Sequence, residues 1–336
     1  MKGSIGFITC QDLGPYFPSS KNPLYTHDDQ VAVDFLEEKG ISVTPVVWGT
    51  PPSDLKQQNF TLLIVRSPWD YMDSEKKRTS FLSWLKECHK ESLKVLNPVP
   101  LMLWNMDKRY LLDLEKENIE IVKSTLISKD QNLNLDEVFE ERGAFVIKPT
   151  ISAAAKDTFR VLSIEDAKSL SEGTNPVDPR PFSEIRKNRD MLIQPYHKEI
   201  ETEGEWSLIF LNGNYSHSVL KKPKEGGWLV QDERGGSVHC LKAPPIVEKK
   251  AKVAFSKIRD SFNHSFFFQK EKKQELKHMP LYARVDLIPT RLGPLVGELE
   301  MVEPELFFLH RDGTNLTPNQ DALKSFYEGI VNFTNK

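Results

Sequence analysis

Residues 282 to 304, YARVDLIPTRLGPLVGELEMVEP, restrict the fold of this chain more than any other segment. Two runs of alternating polar and apolar residues flank Pro-Thr-Arg-Leu-Gly-Pro, which is a turn signal, so the segment predicts an antiparallel hairpin. A turn at the centre of the segment pairs residues whose numbers sum to about 584. Asp286 then faces Glu298, and Arg284 faces Glu300, on neighbouring strands.

The four charged residues of this hairpin share one face because side chains alternate along each strand. The other face, predicted to pack in the core, carries Val285, Leu287, Leu299 and Met301. Carboxylates directly opposite one another repel, so a positive group is needed between them. Asp286, Glu298 and Glu300 offer oxygen ligands with no His or Cys nearby, which predicts Mg²⁺ or Mn²⁺ shared with nucleotide phosphates. The alternative is that Arg284 merely neutralises a solvated acidic face.

The first hundred residues alternate between apolar strands and a helix. Strands are predicted at residues 4–10, 41–48 and 60–67, and a helix is predicted at residues 29–39, where Gly40 ends it. This order is typical of a parallel α/β layer, in which ligands bind at the carboxyl ends of the strands.

Two polar segments lie where that rule predicts a ligand, and both are candidate substrate-binding sites. Asp28 and Asp29 come directly before the helix, and N-capping of the helix is the alternative role for them. The second segment directly follows the third strand and combines a cation, an anion and two aromatic rings. Its members are Arg66, Trp69, Asp70 and Tyr71.

The chain after residue 100 has a different pattern. The predicted elements are a helix at 106–118, a short strand at 119–127, an acidic helix at 134–142, a strand at 144–150, a proline-rich loop at 171–190, and strands within 191–196, 205–222 and 227–232. Asn-Gly and Gly-Gly turns join the later strands. The second half is therefore predicted to be α+β and largely antiparallel.

Phosphate binding through a P-loop is excluded, because G-x-x-x-x-G-K-[ST] does not occur and no dinucleotide fingerprint follows a strand. Lys148 ends an apolar strand, where an unpaired ammonium is costly, so an anion is its predicted partner. The small residues after it, which include Ser152 and Ala153, leave room for backbone N–H groups to approach phosphate and suit a mobile lid. Lys108 opens a helix, and a plain surface position is the alternative for it.

Composition and charge exclude some classes of protein. Charged residues make up 28% of the 336 residues but the formal net charge is only −3, so no surface for nucleic acid is expected. The apolar run at the N-terminus is too short for a signal peptide or a membrane span. Three widely spaced cysteines fit a reducing compartment. We therefore expect a cytoplasmic protein without a nucleic-acid or membrane partner.

A series of motifs extends over nearly the whole chain. They are RSPWDY (66–71), WNMDKRYLL (104–112), IKP (147–149), SAAAKDT (152–158), QPY (194–196), GEWS (204–207), RGG (234–236), and Asp286 followed by Glu298-Leu-Glu300. Together they resemble the ATP-grasp superfamily, and specifically the glutathione-synthetase-like branch that includes the cycloserine-forming ligases. The family loop is usually richer in glycine than SAAAKDT. The metal motif more commonly has Asn where Glu300 stands, and glutamate is also an oxygen ligand.

The resemblance implies a role for each matched residue. The residues that would bind the ATP phosphates are Lys108, Lys148, Ser152 and Ala153. Those that would bind adenine are Gln194, Pro195 and Tyr196, and Glu205 would bind ribose. The transferred phosphate and the acyl-phosphate oxyanion would be held by Lys221, Arg234 and Arg284. Two Mg²⁺ ions, or Mn²⁺ in their place, would be held by Asp286, Glu298 and Glu300.

The implied architecture is an α/β N-terminal substrate-binding domain (residues 1–100) followed by two α+β ATP-grasp subdomains. The small subdomain carries the lid (101–190), the C-terminal subdomain carries the metal site (191–336), and the nucleotide is held between their two β-sheets. The implied reaction is ADP-forming ligation of a small-molecule carboxylate and an amine, or ring closure within one molecule, through an acyl phosphate. The substrate would be amino-acid-like or a peptide.

Two other functions stay open from the sequence. One is a non-catalytic ATP-binding or interaction protein, and the other is a small-molecule kinase that uses the same nucleotide site. A homo-oligomer is compatible with the sequence.

Overall fold

The structure, a computed structural model, describes residues 4–14, 18–230, 235–265, 276, 278–312 and 315–334. Its strands are β1 (Ser4–Thr9), β2 (Ser42–Val47), β3 (Leu62–Ser67), β4 (Val95–Leu96), β5 (Thr125–Ile127), β6 (Phe145–Pro149), β7 (Phe159–Val161), β8 (Met191–Pro195), β9 (Glu205–Leu211), β10 (Asn214–Lys222), β11 (Ser237–His239), β12 (Tyr282–Ile288), β13 (Leu295–Glu300), β14 (Leu309–Asp312) and β15 (Asn315–Pro318). Its helices are α1 (His27–Glu38), α2 (Pro52–Gln57), α3 (Glu75–Lys90), α4 (Val99–Asn105), α5 (Tyr110–Lys116), α6 (Leu135–Arg142), α7 (Ile164–Glu172), α8 (Phe182–Ile185), α9 (Glu199–Glu203), α10 (Pro245–Ser256), α11 (Ile258–Asn263) and α12 (Gln320–Thr334), and a short 3-10 turn spans Trp69–Met72.

The first sheet is parallel and has the strand order β2-β1-β3-β4. Its central strands are buried on both faces, which is why their sequences are almost continuously apolar. On one face Phe7 packs edge-on against Phe326 of α12, with ring centroids 6.4 Å apart. On the other face Ile8 lies in a core that includes Phe81 of α3. The parallel layer predicted for the first hundred residues is therefore present.

The second sheet is antiparallel and has the order β5-β8-β6-β7. Helices α6 and α7 contribute to the core on one face, where Phe145 and Ile147 of β6 are buried. Because side chains alternate along a strand, Val146 and Lys148 lie on the opposite face and line a cleft. A lysine is thus held at the end of an apolar strand with its side chain toward the cleft.

The third sheet is antiparallel, in the order β11-β10-β9-β12-β13, and contains the predicted hairpin. Asp286 is paired with Glu298, and Arg284 is paired with Glu300, as the predicted register requires. The apolar face lies in the core with α10 and consists of Val285, Leu287, Leu299 and Met301. A β-bulge after Asp286 leaves Gly297 as the extra residue of β13, so the register shifts by one towards the turn.

Some predicted elements differ from the structure. The helix predicted at 106–118 is confined to α5, because an Asp107 side-chain oxygen accepts a hydrogen bond from the Arg109 amide (3.0 Å) and forms a turn before it. Helix α4, which was not predicted, has Pro100 in its first turn, where no amide donor is needed.

Other differences concern strands and a loop. The strand predicted at 119–127 is reduced to β5, and the loop predicted at 171–190 contains α8. Residues 227–230 are not in a strand, and residues 231–232 lie outside the described part of the chain. Within that part, no helix is long and apolar enough to cross a membrane. The cytoplasmic location stays a prediction.

Candidate active site

A cleft of about 600 Å³ is lined by residues of the second and third sheets and by the segment that follows β3 of the first sheet. The predicted site residues that line it are Trp69, Tyr71, Lys108, Lys148, Ser152, Ala153, Gln194, Pro195, Tyr196, Glu205, Lys221, Arg284, Asp286, Glu298 and Glu300. Segments more than 200 residues apart in sequence therefore converge on one cavity. Arg234 lies outside the described residues, so its role stays a prediction.

Three carboxylates of the hairpin converge at the base of the cleft. Asp286, Glu298 and Glu300 each offer one oxygen, and these oxygens all lie within 4.8 Å of one another. Cross-strand pairing of β12 with β13 brings them together, and alternation keeps them on one face. In the described part of the chain no second group of this kind occurs. A set of carboxylate oxygens without nitrogen or sulfur donors fits a hard divalent cation such as Mg²⁺.

Two cations of the cleft, Lys108 and Arg284, are paired with these carboxylates. Lys108 Nζ lies 2.7 Å from Glu298 Oε1, and Arg284 Nη2 lies 2.7 Å from Glu300 Oε1. The Arg284 guanidinium also donates to Asp286, at 2.9 Å. These contacts correct the alternative of a solvated acidic face, because Arg284 and Asp286 are both buried.

Lys221, which is buried, and Glu205, which is half-buried, form an ion pair beside the three hairpin carboxylates, which we call the triad. Lys221 Nζ lies 2.5 Å from Glu205 Oε1 and 3.3 Å from Asp286 Oδ2. The Ser207 hydroxyl donates to Asp286 Oδ1 at 2.6 Å and fixes that carboxylate from β9. Ser207 belongs to the GEWS motif, in which the sequence singled out only Glu205.

Lys148 differs from the other cleft lysines because it makes no ion pair with any described residue. Burial lowers the pKa of Lys148, and the nearby Lys108 ammonium adds to the effect while Glu298 opposes it. An uncompensated ammonium in a partly desolvated cleft is suited to an anionic ligand.

The ionisation of the three carboxylates differs with their surroundings. Burial would raise the pKa of Asp286, but the Arg284 guanidinium and the Lys221 ammonium outweigh it and hold this pKa well below its usual range. Burial raises the pKa of Glu300 above its usual range; Arg284 opposes the effect, and the neighbouring carboxylates add to it. Like charges this close do not all ionise without a compensating cation, which is the behaviour expected of ligands for a divalent ion.

The predicted adenine-binding residues, Gln194 to Tyr196, lie at the aromatic end of the cleft. The rings of Tyr196 and Trp228 meet edge-on with centroids 6.2 Å apart, and the Arg160 guanidinium lies 5.2 Å and 5.6 Å from the two centroids. The Gln194 side chain donates to Ser124 Oγ at 2.8 Å and is buried. Trp228 was missed as a site residue because its segment was interpreted as a strand.

The small-residue loop closes one side of the cleft. Ser152 accepts a hydrogen bond from Lys108 Nζ through its backbone oxygen (2.7 Å), which joins the loop to the triad. Ala154 and Ala155 have φ values of 49° and 53°, in the left-handed region that glycine adopts at least cost. Lys156 Nζ donates to the backbone oxygen of Asp73 at 2.7 Å, so the loop also contacts the segment that follows β3.

Trp69 and Tyr71 are the two residues of the RSPWDY segment that line the cleft. The Trp69 indole N–H donates to the backbone oxygen of Glu303 (3.0 Å), and the Tyr71 hydroxyl donates to Glu303 Oε1 (2.6 Å). Glu303 was not identified from the sequence, although it follows Glu300 by only three residues. The missing information is tertiary, because Tyr71 and Glu303 are 232 residues apart.

The remaining predicted substrate residues do not line the cleft. Arg66 is buried and donates through Nε to Asp29 Oδ1 (2.8 Å), and Asp28 Oδ1 accepts from the Phe308 amide (2.5 Å). The N-cap of α1 is Thr26, whose hydroxyl accepts from the Asp29 amide, so neither aspartate is the cap. The N-cap role is therefore wrong for both aspartates, whose carboxylates lie in a buried ionic network with Arg66 outside the lining of the cleft, and their role in substrate binding stays a prediction.

Asp70 also has structural contacts. Its carboxylate accepts from the Trp48 indole N–H (2.5 Å) and lies 3.0 Å from Lys77 Nζ. The strand-end rule located the correct edge of the sheet for this segment. It did not say which side chains turn toward the cleft and which turn into the protein.

Asn105 of the WNMD motif is a further residue that sequence reasoning missed. Its side chain donates to the Leu299 backbone oxygen (2.7 Å) and accepts from the Met301 amide (2.7 Å). It therefore fixes the main chain on both sides of Glu300. Asn105 precedes Lys108 by three residues in the same motif, so the motif itself carries the signal for this residue.

The chain is similar to known proteins both in sequence and in structure. The family model described as the N-terminal domain of the D-cycloserine synthetase DcsG matches residues 5–97. The cycloserine biosynthesis protein DcsG of Streptomyces lavendulae is 26% identical over 305 residues, which are 87% of this chain and 89% of that protein.

Solved structures show the same fold. The crystal structure of D-cycloserine synthetase DcsG is similar with a TM-score of 0.72 and 21% identity, covering 99% of this chain and 100% of that one. A D-alanine–D-alanine ligase from Bacillus anthracis, solved in complex with ATP, is similar with a TM-score of 0.57 and 15% identity, covering 99% of this chain and 97% of that one. The resemblance predicted from the motifs is thereby confirmed.

Proposed function

We propose that this chain, which resembles the cycloserine-forming ATP-grasp ligases, is an ADP-forming carboxylate–amine ligase that works through an acyl phosphate. The substrate is an amino acid, a close analogue of one, or a peptide, and the amine belongs to a second molecule or to the same one. The observation that carries the proposal is the convergence of Asp286, Glu298 and Glu300 with four buried or half-buried cations in one cleft.

ATP occupies the cleft between the second and third sheets in this proposal. Lys108 and Lys148, with the backbone of Ser152 and Ala153, contact its phosphates, since helix starts and small-residue loops of this kind suit phosphate oxygens. The adenine lies at Gln194, Pro195 and Tyr196, and Glu205 accepts hydrogen bonds from the ribose. The structurally similar D-alanine–D-alanine ligase was solved in complex with ATP, which supports ATP as the nucleotide.

Two Mg²⁺ ions are assigned to the triad. Asp286, Glu298 and Glu300 would hold them, with Mn²⁺ as a substitute, because the three oxygens lie within 4.8 Å of one another. When bound, the ions neutralise charge on the phosphates and polarise them. Lys108 and Arg284, which pair with the triad here, would then exchange carboxylate partners for phosphate oxygens.

The reaction proceeds in two displacements. An oxygen of the substrate carboxylate attacks the γ-phosphorus, and the bond from that phosphorus to the bridging oxygen breaks with its electron pair leaving on ADP. The amine nitrogen then attacks the acyl carbon, the carbon–oxygen bond to phosphate breaks, and inorganic phosphate leaves as the nitrogen loses a proton to solvent. No side chain forms a covalent bond, so positioning and electrostatics supply the catalysis.

Arg284, Lys221 and Arg234 hold the charge that moves between these groups. Arg284 Nη2 lies 2.9 Å and Lys221 Nζ lies 3.3 Å from the buried Asp286 carboxylate, so both cations are preorganised beside the triad. Preorganised cations stabilise developing charge without a cost of reorientation at the moment of reaction.

We also propose the three-part domain division, with one boundary adjusted. The N-terminal domain is residues 1–100, and the small subdomain begins at residue 101. Because β8 pairs with β5 and β6, the boundary between the two ATP-grasp subdomains belongs after Pro195 and not at residue 190.

An ADP-release assay with a panel of amino acids and peptides tests the proposal, with mass spectrometry of the products. We expect ADP and phosphate in equal amounts, a new amide or ring, and a loss of at least about 100-fold in rate for Asp286→Asn. Glu91→Gln, which removes an exposed ion pair with Lys56, is the control and should retain the rate. Release of no ADP with any acid would contradict a ligase, and a stable phosphorylated product without an added amine would favour a kinase.

A further inference from the structure

Another carboxylate, that of Glu303, lies in the cleft beyond the triad. The Tyr71 hydroxyl donates to its Oε1 at 2.6 Å, and the Trp69 indole holds its backbone oxygen at 3.0 Å. These two aromatic residues come from the segment after β3, so the carboxylate lies at the substrate-binding end of the cleft, at the N-terminal domain. It is fixed in position by side chains that otherwise have no ionic function.

Glu303 has no cationic partner in the described part of the chain, unlike its neighbours. Glu298 pairs with Lys108, Glu300 pairs with Arg284, and Glu205 pairs with Lys221. The Tyr71 phenol is the one described side chain that donates a hydrogen bond to the Glu303 carboxylate, and it uses only Oε1. Burial raises the pKa of Glu303 to about 7, against the lowering effects of Tyr71 and Lys108, as expected for a carboxylate without full compensation.

The charge of the cleft favours a cationic ligand at this point. Of the described residues that line it, seven are Asp or Glu and five are Lys or Arg. A nucleoside triphosphate with two divalent ions is close to neutral as a unit, so it leaves this excess of negative charge unchanged. A substrate that brings a positive group would compensate it where no protein cation does.

We propose that Glu303, held by Tyr71, binds the ammonium group of an amino-acid substrate and selects α-amino acids, or peptide N-termini, over acids that lack the ammonium. The inference rests on the proposed ligase function, since it assigns the substrate class of the same cleft. The carboxylate of such a substrate lies toward Arg284 and the triad, and its ammonium lies toward the RSPWDY segment. Glu303 is a specificity-determining residue in this arrangement and takes no part in phosphate transfer.

Isothermal titration with matched ligand pairs tests this inference without turnover. The protein, with Mg²⁺ and a non-hydrolysable ATP analogue, is titrated with D- and L-alanine and D- and L-serine, and then with the 2-hydroxy acids lactate and glycerate of both configurations. Wild-type protein and the Glu91→Gln control should bind one of the amino acids about 10- to 100-fold more tightly than its hydroxy counterpart, as expected for a charge-assisted hydrogen bond. Glu303→Gln should lose that preference and retain the binding of the ATP analogue.

Three results would overturn the inference: no amino acid of the panel binds wild-type protein, wild-type protein binds hydroxy acids equally well, or Glu303→Gln keeps the preference. Circular dichroism and thermal unfolding check that the variant folds. If it does not fold, Glu303→Ala is measured in its place, and the wild-type comparison still decides. Failure of the ligase function is a separate result, because it would be seen as absent ADP release while Glu303-dependent binding persists.

Discussion

Buried charges in this protein fall into two groups at the scale of the residue. In the cleft, Lys108 and Arg284 contact carboxylates that a metal ion would bind, so their present partners are exchangeable. Away from the cleft lining, Arg66 of β3 and Asp29 of α1 are both about 2% exposed and pair at 2.8 Å. The first group serves binding, and the second group stabilises the junction between segments far apart in the chain.

Lys148 is the residue for which binding and stability should separate most clearly. Since its ammonium is half-buried and has no ionic partner among the described residues, Lys148→Met removes an uncompensated charge and should leave the thermal midpoint unchanged or higher. The affinity for ATP should fall by about 10- to 100-fold, because a charge-assisted contact to phosphate is lost. Thermal unfolding without ligand and titration with ATP measure the two effects. Equal ATP affinity in the variant and the wild type would contradict the role of Lys148.

Asp28 should make stability depend on pH. Burial raises its pKa to about 6, because the charged form is disfavoured more than Arg66 compensates. A carboxyl whose pKa is raised on folding stabilises the native state when protonated. Its contribution is therefore full below about pH 4 and is lost as the pH rises through about 6, a change of roughly 3 kcal/mol in the free energy of unfolding.

The variant Asp28→Asn isolates this contribution. Urea unfolding of wild type and variant between pH 4 and pH 7 should show the variant gaining roughly 3 kcal/mol relative to the wild type as the pH rises. Asparagine has no charge to bury, so the variant lacks this part of the pH dependence of the free energy of unfolding. Parallel curves for the two proteins over this range would show that Asp28 does not titrate as described.

At the scale of the element, the small-residue loop and the hairpin act as the two sides of the nucleotide cleft. The loop is joined to the triad by the contact from Lys108 to Ser152 and to the segment after β3 by the contact from Lys156 to Asp73. Its alanines hold left-handed backbone conformations that cost more than they would for glycine. A loop with such tethers can close over a ligand and open again when they break.

Lys156→Met should release this loop from the segment that follows β3. Hydrogen exchange at residues 152–158 is expected to increase, because one tether of the loop is removed, while the global thermal midpoint changes by no more than about 2 °C since the side chain is exposed. Lys168→Met, on the exposed face of α7, is the matched control and should leave exchange in the loop unchanged. Unchanged exchange in Lys156→Met would mean that this contact does not hold the loop.

The hairpin register was predictable because its determinants are local. The alternation of Asp286 with apolar neighbours and the turn signal at residues 289–294 set the pairing with Glu298 without any tertiary information. The bulge at Gly297 was not predictable from the same pattern, because one extra residue next to the turn leaves the alternation of β13 beyond it intact. The pairing of the charged residues on this hairpin was therefore predicted, and its detailed geometry near the turn was not.

Residues whose roles depend on distant segments were predicted less well. Arg66 was assigned to substrate because it ends a strand, yet its side chain turns into the protein toward Asp29. Glu303 was missed because its partner Tyr71 is 232 residues away in sequence. The sequence pattern shows which edge of a sheet faces the site, and only packing shows which side chains reach it.

At the scale of the whole molecule, a parallel sheet and two antiparallel sheets meet at one cleft. The predicted resemblance to the ATP-grasp ligases, and to the cycloserine-forming group among them, is confirmed by the similarity to the Streptomyces lavendulae protein and to the solved structures. Each sheet contributes a different chemistry: carboxylates from β12 and β13, the unpaired ammonium of β6, and the aromatic residues that follow β3. The fold brings these carboxylates, this ammonium and these aromatic residues together in one cleft, as the proposed ligation requires.

The central claim is that Asp286, Glu298 and Glu300 jointly hold a divalent ion on the nucleotide. A crystal structure with Mn²⁺ and a non-hydrolysable ATP analogue, with anomalous difference maps recorded for manganese, tests it most directly. We predict manganese peaks within about 2.5 Å of oxygens from all three carboxylates, with the phosphates beside Lys148. Manganese bound elsewhere in the protein, or a nucleotide whose phosphates lie away from these residues, would contradict the claim.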